Sequence, residues 1–214
     1  MGLHRVMIFS RFERFWHWGQ ALLIFVQLYT GFAIHGSYQL IDFDSAVLIH
    51  TVAAMALIVL WLLAIFWHLT TGTWRHYMPT TQGLWQVVRY YVYGIFHGER
   101  HPYHKAYWRK HNPLQALSYL GLKLLLFPAV WLSGLAYFSY FLWRPDASAG
   151  AMLEVVALAH IAAAYAIGAF VIIHLYLLTT GESFIHHLRP MLNGHDEVEL
   201  TEAEKAYLEE QHRG

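Results

Sequence analysis

Four long apolar segments, separated by polar connections, dominate the pattern of this chain. They run over residues 12–35, 47–70, 114–140 and 152–180. Each is long enough to cross the roughly 30 Å of hydrocarbon in a bilayer, which takes about 20 helical residues. The first segment contains Trp16, His17 and Gln20 and has no small-residue cleavage site, so it is not typical of a removed signal peptide. The pattern therefore predicts an all-α membrane protein, a bundle of four transmembrane helices.

A shorter helical pattern lies in the long connection formed by residues 72–112. Apolar residues recur at helical spacing from Leu84 to Phe96, with polar residues such as Gln86 and Arg89 on the other side. A helix with one apolar and one polar face binds at a membrane surface. We interpret this stretch as an amphipathic helix in the membrane interface.

The chain divides into a membrane domain, residues 1–190, and an acidic tail, residues 191–214. Thr201 and Glu204 have the spacing of a capping box, which indicates a short helix in the tail. The charge of the tail otherwise favours a solvated segment over a docking surface.

Basic residues indicate the orientation, because they concentrate on the cytoplasmic side of membrane proteins. Of the two short connections between segments, one has no basic residue and the other has only Arg144. The remaining regions outside the apolar segments hold Arg5, Arg11, Arg75, Arg89, Arg100, Lys105, Arg109, Lys110, Arg189, Lys205 and Arg213, and Arg14 lies at the start of the first segment. We therefore expect both termini and the long connection to face the cytoplasm.

Composition narrows the class of protein. Charged residues make up 13% of the chain, about half of the usual share in soluble domains. The absence of cysteine excludes disulfides, thiolate-bound iron–sulfur clusters and covalently attached haem. A net charge of zero without a basic block argues against nucleic-acid binding. The 16 histidines, by contrast, exceed what packing requires.

Two histidines of the fourth segment have a spacing that favours cofactor binding. His160 and His174 are 14 residues apart, so they face nearly the same way and lie about 21 Å apart along a helix. At matching depths on other helices lie His50 and His17. Because intramembrane histidines are costly and usually functional, we predict two b-type haems with axial pairs His50–His160 and His17–His174.

His35 and His68 are the rival ligands, because each lies 18 residues, or five turns, from its helix-mate. Their places at segment ends favour interface or propionate contacts instead. Any single histidine could also be a hydrogen-bonded core residue, or part of a proton relay in a haem-free transporter of protons or ions. Two bis-histidine sites would leave no open coordination position, which suits electron transfer rather than oxygen chemistry.

Lys123 lies about 16 Å into the third segment by helical rise. At that depth a lysine should face the bundle interior or water. A contact with a haem propionate, a proton relay and a snorkelling side chain all remain open for it. Glu13 is either a support for His17 or a quinone proton path, or an exposed interface carboxylate.

Three motifs resemble a known family: residues 14–18 (RFWHW), 71–79 (TGTWRHYMP) and 111–115 (HNPLQ). Together with His160 and His174 they are similar to the four-helix dihaem cytochrome b subunits of formate dehydrogenases, nickel–iron hydrogenases and thiosulfate or polysulfide reductases. The last two motifs look closest to the thiosulfate-reductase-like branch. The resemblance implies a respiratory subunit in the bacterial inner membrane that passes electrons between the quinone pool and a partner redox subunit. That partner would carry iron–sulfur or other centres and lie outside the cytoplasm.

The resemblance also implies a quinone site near the cytoplasmic haem. It places Asn112 and Gln115 there, with His111 and Arg109 nearby. The alternative is that Asn112 only caps the third helix ahead of Pro113. A stand-alone ferric-reductase-type cytochrome b, with the same cofactors and another substrate, is the second alternative function.

Overall fold

The structure, a computed structural model, describes residues 3–99, 102–103, 107–108, 110–143, 149–180 and 184–213. The basic residues Arg100, Lys105, Arg109 and Arg144 lie outside the described residues. The chain divides into two compact units. Unit 1 contains Met1–Leu22, Leu57–Leu117 and Leu178–Gly214, and unit 2 contains Leu23–Ala56 and Ser118–Leu177.

The elements are mainly helical. In chain order they are β1 (Leu3–Met7), α1 (Arg11–Ile34), α2 (Phe43–Thr71), a 3₁₀ turn (Thr73–Tyr77), α3 (Leu84–Val92), a second 3₁₀ turn (Gly94–His97), α4 (Pro113–Gly121), a π turn (Leu122–Leu126), α5 (Phe127–Phe138), α6 (Tyr140–Trp143), α7 (Ala149–Leu178), α8 (Phe184–Asn193), β2 (His195–Glu199) and α9 (Glu202–Arg213). The stretch predicted to be an amphipathic helix is α3 and the 3₁₀ turn that follows it.

Among the described residues, three helices are long and apolar enough to cross a membrane: Phe43–Thr71, Pro113–Phe138 and Gly150–Leu178. The predicted class of helical membrane protein is thereby supported. α1 has 24 residues, which is about 36 Å of helix and long enough to span. His17, Gln20 and Gln27 make it less apolar than the other three. The fourth span stays a prediction.

The third apolar helix is interrupted by a π turn. Pro128 is at the start of α5 and has no backbone N–H to give to the preceding turn. Just before it, the Phe127 N–H donates to the Leu122 carbonyl, five residues back. Such π turns are rare in proteins overall, but those that occur are often at functional sites. Lys123 lies inside this one.

In unit 1, the two ends of the chain form a small sheet that the sequence pattern did not predict. β1 and β2 pair antiparallel, from Leu3 opposite Glu199 to Met7 opposite His195. Val198 of β2 is buried together with Ile8 and Leu200, and Tyr107 and Leu208 are among the residues packed against them. The tail is thus folded against the N-terminal strand, whereas its charge had favoured a solvated segment.

The start of α9 follows the predicted capping box. The Glu204 carboxylate accepts the Thr201 N–H at 3.0 Å, and the Thr201 hydroxyl accepts the Glu204 N–H at 3.3 Å. Glu204 is buried, and it also accepts the Trp108 N–H at 3.0 Å. The cap therefore joins the tail to residue 108 of the long connection.

The end of α8 is fixed by side chains of α1 within the same unit. The Arg14 guanidinium donates to the Leu192 carbonyl, and the Trp18 indole N–H donates to the Met191 carbonyl at 2.9 Å. The last carbonyls of a helix have no partner inside it, so these two bonds satisfy groups that would otherwise need water. Gly194 then turns the chain with φ +88°, the left-handed conformation typical after a helix.

Candidate functional site

His50 on α2 and His160 on α7 lie next to each other in unit 2. Their ring centroids are 6.2 Å apart, with 64° between the ring planes. Metal–imidazole bonds are about 2.0 Å long, so two imidazoles on opposite sides of one metal have ring centres about 6 Å apart. The structure brings together the two residues predicted as the outer axial pair, at a spacing that fits one iron between them.

Each of these imidazoles is held by a hydroxyl from another helix. Thr30 Oγ1 lies 2.9 Å from His50 Nδ1, and Ser133 Oγ lies 3.0 Å from His160 Nδ1. The Thr30 hydroxyl also donates to the Val26 carbonyl, at 2.7 Å. A hydroxyl has one proton to donate and two lone pairs that accept. With that proton directed to the carbonyl, the hydroxyl accepts the imidazole Nδ1–H.

The Ser133 hydroxyl likewise accepts the His160 Nδ1–H, because its own proton is donated to the Ala129 carbonyl at 2.6 Å. In both histidines the proton is then on Nδ1 and the lone pair on Nε2, the nitrogen that can bind a metal. Metal-bound histidines usually make such a bond from their second ring nitrogen. The donor set of this pair therefore fits a bis-histidine haem.

A glycine follows each of the two hydroxyl residues. A Cβ added at Gly31 would lie 3.4 Å from His50 Cε1, and one added at Gly134 would lie 3.4 Å from His160 Cε1. The bare backbone at these positions lets both rings pack directly against the neighbouring helix. A side chain larger than alanine would displace the imidazole.

The predicted inner pair has one member in each unit, and it stays a prediction. His174 lies on α7 in unit 2, half-buried, with its ring parallel to Phe170 at a centroid distance of 6.0 Å. His17 lies on α1 in unit 1, half-buried, with its ring edge-on to Trp18 at 5.1 Å.

The rival ligands differ from each other. His35 is exposed beyond the end of α1. His68 is half-buried, its Nδ1 is 2.8 Å from the Ala64 carbonyl, and its ring lies 5.5 Å from Trp16 and 5.3 Å from Tyr77. A bond from Nδ1 to a carbonyl leaves the Nε2 lone pair for a metal. His68 is thus a stronger chemical rival for the inner iron than its place at a segment end indicated.

Asn112 and Gln115 cap the start of α4. Asn112 Oδ1 accepts the Gln115 N–H at 2.8 Å, and Gln115 Oε1 accepts the Asn112 N–H at 3.2 Å. The Asn112 amide also donates to the Tyr91 hydroxyl at 3.3 Å. Asn112 thus caps α4, and the quinone role of this pair stays a prediction.

Glu13 and Lys110 form a buried ion pair in unit 1 that the sequence analysis missed. Their side chains are 4% and 5% exposed, and Lys110 Nζ is 2.6 Å from Glu13 Oε1. The Tyr77 hydroxyl donates to the same carboxylate. The Lys110 ammonium also lies 5.3 Å from the ring centre of Phe9 and 5.4 Å from that of Tyr77. The alternative of an exposed Glu13 carboxylate is wrong.

One pattern in the sequence could have indicated the position of Glu13. Ser10 and Glu13 have capping-box spacing, and the Ser10 N–H donates to Glu13 Oε2 at 2.7 Å. Nothing in the pattern indicated its partner, which is 97 residues away. Burial lowers the pKa of the Lys110 ammonium, and the Glu13 carboxylate opposes that shift. Burial also lowers the pKa of His76, and the positive charge of Lys110 lowers it further.

Comparison with known proteins identifies the family of this chain. The family model described as "Prokaryotic cytochrome b561" matches residues 8–194. The protein named "Putative cytochrome YdhU" in Escherichia coli (strain K12) is 30% identical over 200 residues, which cover 89% of this chain and 74% of that protein. No solved structure matches. The family resemblance drawn from the three motifs is confirmed: the chain belongs to the prokaryotic cytochrome b561 family of membrane electron-transfer proteins.

Proposed function

We propose that this chain is the membrane-anchoring dihaem cytochrome b subunit of a respiratory oxidoreductase complex. It would transfer electrons between the quinone pool and a partner redox subunit outside the cytoplasm. A bound b-type haem supplies an iron that gains and loses one electron. His50 and His160 would hold one haem, and His17 and His174 the other.

The observation that carries the proposal is the geometry of His50 and His160. The ring spacing of 6.2 Å fits two axial ligands on one iron. Both Nδ1 atoms bond to hydroxyls, which supports iron binding through Nε2. A proton relay would need imidazoles that exchange protons at both nitrogens. Family membership also favours the cytochrome over the haem-free transporter.

The outward face of α1 supports the fourth span. Every exposed large apolar residue of this helix falls on one stripe with spacings of three and four: Phe15, Trp18, Leu22, Phe25, Tyr29 and Phe32. The stripe is about 25 Å long by helical rise, close to the thickness of hydrocarbon in a bilayer. Four spanning helices would leave both termini on the same side, and the basic residues favour the cytoplasmic side.

Exposed apolar residues of the long connection support its place at the membrane surface. Trp85 of α3 is 74% exposed, Val92 is 72% exposed, and Phe96 in the 3₁₀ turn is 72% exposed. Val87 and Tyr90 of α3 are buried within the protein. Large apolar side chains left uncovered beside a buried face are typical of a helix in the lipid interface.

The buried polar cluster of unit 1 supports quinone chemistry at the cytoplasmic end. Reduction of a quinone to a quinol takes up two protons with two electrons. The Glu13 carboxylate, the Lys110 ammonium and the Tyr77 hydroxyl form one hydrogen-bonded group that can exchange protons. The Tyr77 ring lies 5.3 Å from the ring of His111, which directly precedes the capping residue Asn112. A quinone beside Asn112 and Gln115 would thus have proton donors within the same unit.

Lys123 has a different proposed role, because it lies in unit 2. Its π turn opens the helix at a position where a lysine is costly in lipid. A proton relay, or a contact with a haem propionate, would justify that cost. The competing function of a stand-alone ferric reductase uses the same haems, and adjacent genes for iron–sulfur or molybdopterin subunits would argue against it.

The test is a count of haems per chain in a panel of histidine-to-alanine variants. The wild-type protein should contain two haems with reducible Soret and alpha bands. His50→Ala and His160→Ala should each remove the same haem, and His17→Ala and His174→Ala should each remove the other. Absorption and redox titration of the purified proteins distinguish the two haems.

His35→Ala is the matched control, because His35 is an exposed histidine directly after α1; it should keep both haems. His68→Ala should also keep both, and loss of the inner haem in that variant would reassign the ligand from His17 or His174. A colourless wild-type protein from haem-replete cells would refute the proposal.

A further inference from the structure

Thr30 and Ser133 occupy equivalent positions in two helical hairpins, the first formed by α1 and α2 and the second by α5 and α7. Each hydroxyl residue precedes a glycine, Gly31 or Gly134, on the first helix of its hairpin. Each hydroxyl bonds to the histidine on the second helix, His50 or His160. The glycine beside it faces the Cε1 edge of the same ring, at 3.4 Å in both cases. The same arrangement of hydroxyl, glycine and imidazole thus occurs twice in unit 2.

Both hydroxyls are buried and both are fixed by their own helix. Thr30 is 1% exposed and Ser133 is 7% exposed. Thr30 Oγ1 reaches the carbonyls of Val26 and Gln27, and Ser133 Oγ reaches those of Ala129 and Val130. Such bonds slightly weaken a helix interior and compete with its ladder. A hydroxyl that only filled space would be replaceable by alanine or valine, which do not compete.

From these observations we infer that Thr30 and Ser133 are positioning residues that set the tautomer, the ring plane and the electron donation of the axial imidazoles. The inference rests on the proposed binding of a haem by His50 and His160. Each hydroxyl accepts the Nδ1–H, which directs the Nε2 lone pair to the iron. That hydrogen bond also makes the imidazole a stronger donor, and a stronger donor stabilises the ferric state. The two hydroxyls together lower the reduction potential of this haem.

The experiment replaces the hydroxyl without changing the shape. Thr30→Val keeps the branched side chain and removes the acceptor, and Thr30→Ser keeps the acceptor. Ser133→Ala and Ser133→Thr form the corresponding pair. Each purified protein is measured by haem content, by redox titration of both haems, and by the EPR g-values of the ferric protein, which depend on the angle between the two imidazole planes.

Thr30→Val and Ser133→Ala should raise the potential of the same haem and leave the other unchanged. The equilibrium constant for reduction should rise by up to about tenfold for each, which corresponds to about 59 mV for one electron. The g-values of that haem should shift, because an imidazole that has lost its hydroxyl partner can rotate. Thr30→Ser and Ser133→Thr should restore the wild-type potential and g-values.

Two controls remove a helix-bonded hydroxyl that makes no bond to His50 or His160. Thr70 bonds to the carbonyls of Phe66 and Trp67, and Ser139 bonds to that of Ala136. Thr70→Ala and Ser139→Ala should leave both potentials unchanged. Equal shifts in these controls, or an equal shift in Thr30→Ser and Thr30→Val, would overturn the inference. So would full haem content with an unchanged potential in Thr30→Val and Ser133→Ala.

An error in the ligand pair and an error in the positioning role would give different results. If His50→Ala and His160→Ala keep both haems, the proposed ligand pair is wrong. If they lose a haem and the hydroxyl variants change nothing, the ligand pair is right and the positioning role is wrong.

Discussion

The two units stabilise the polar side chains in their interiors in different ways. In unit 2 the half-buried imidazoles of His50 and His160 are each paired with a neutral hydroxyl of another helix. In unit 1 a buried carboxylate, Glu13, is paired with an ammonium, Lys110, from a distant part of the chain. One arrangement carries no charge and the other carries two that cancel.

The two arrangements suit different roles, metal binding in one case and the joining of distant segments or proton exchange in the other. A metal-binding imidazole must be neutral with a free lone pair, and a hydroxyl acceptor fixes that state without adding charge. A buried ion pair contributes little net stability, but it is costly to break. It therefore suits a place where distant segments must be joined in one way, or where protons are exchanged. The following predictions test this contrast in unit 1, from the largest effect to the smallest.

Lys110→Met should be strongly destabilising, because it leaves the Glu13 charge buried without its partner. The expected loss is about 3–5 kcal/mol of unfolding free energy. The double variant Glu13→Gln with Lys110→Met should recover much of that loss, since it removes both charges. Thermal unfolding in detergent, followed by tryptophan fluorescence, measures all three proteins.

Lys205→Met is the matched control for this prediction. Lys205 also pairs with a glutamate, Glu202, at 2.7 Å, but the glutamate side chain is 87% exposed. Exposed pairs contribute little, so the control should unfold as the wild type does. If Lys110→Met and Lys205→Met behaved alike, the Glu13–Lys110 pair would not be a buried charge pair in the protein.

Gly194→Ala should loosen the small sheet of unit 1. A Cβ there would lie 2.6 Å from the Phe9 carbonyl oxygen, and the backbone is left-handed as well. Strain of this kind costs about 1–3 kcal/mol. Hydrogen exchange of β1 and β2 should become faster.

Gly83→Ala separates the two causes of that effect. Gly83 has a similar φ of +75°, and a Cβ there would have no neighbour within 4 Å. Gly83→Ala should lower the free energy of unfolding by a smaller amount, because only the left-handed backbone conformation is strained. An equal loss in both variants would mean that contact with Phe9 contributes nothing.

Substitutions of Asn112 should separate the cap from the proposed quinone contact. Serine caps a helix about as well as asparagine does, and alanine costs about 1 kcal/mol. Asn112→Ser should therefore keep the stability of the protein and lose quinol-dependent haem reduction, because the side-chain amide is gone. Asn112→Ala should lose both. Normal quinol reduction in Asn112→Ser would leave Asn112 with the capping role alone.

The sequence alone predicted the features that depend on local pattern. Apolar runs about 20 residues long have few alternatives to membrane helices. The spacing of Thr201 and Glu204 predicted a cap that forms as expected. Three short motifs and the histidines were enough to identify the family. The pairing of His50 with His160 also came from depth along the helices, and the structure places the centres of the two rings 6.2 Å apart.

The tertiary structure decided the features that join distant residues. Glu13 could equally have been an exposed carboxylate, and only the approach of Lys110, 97 residues later, buries it. The strand formed by His195–Glu199 looked like a solvated acidic tail, because a strand at the edge of a sheet needs a partner that its own sequence does not specify. Likewise, Thr30 and Ser133 were two hydroxyls among many in apolar helices. Sequence periodicity determines which face of a helix a residue occupies, and only packing determines which residue lies opposite.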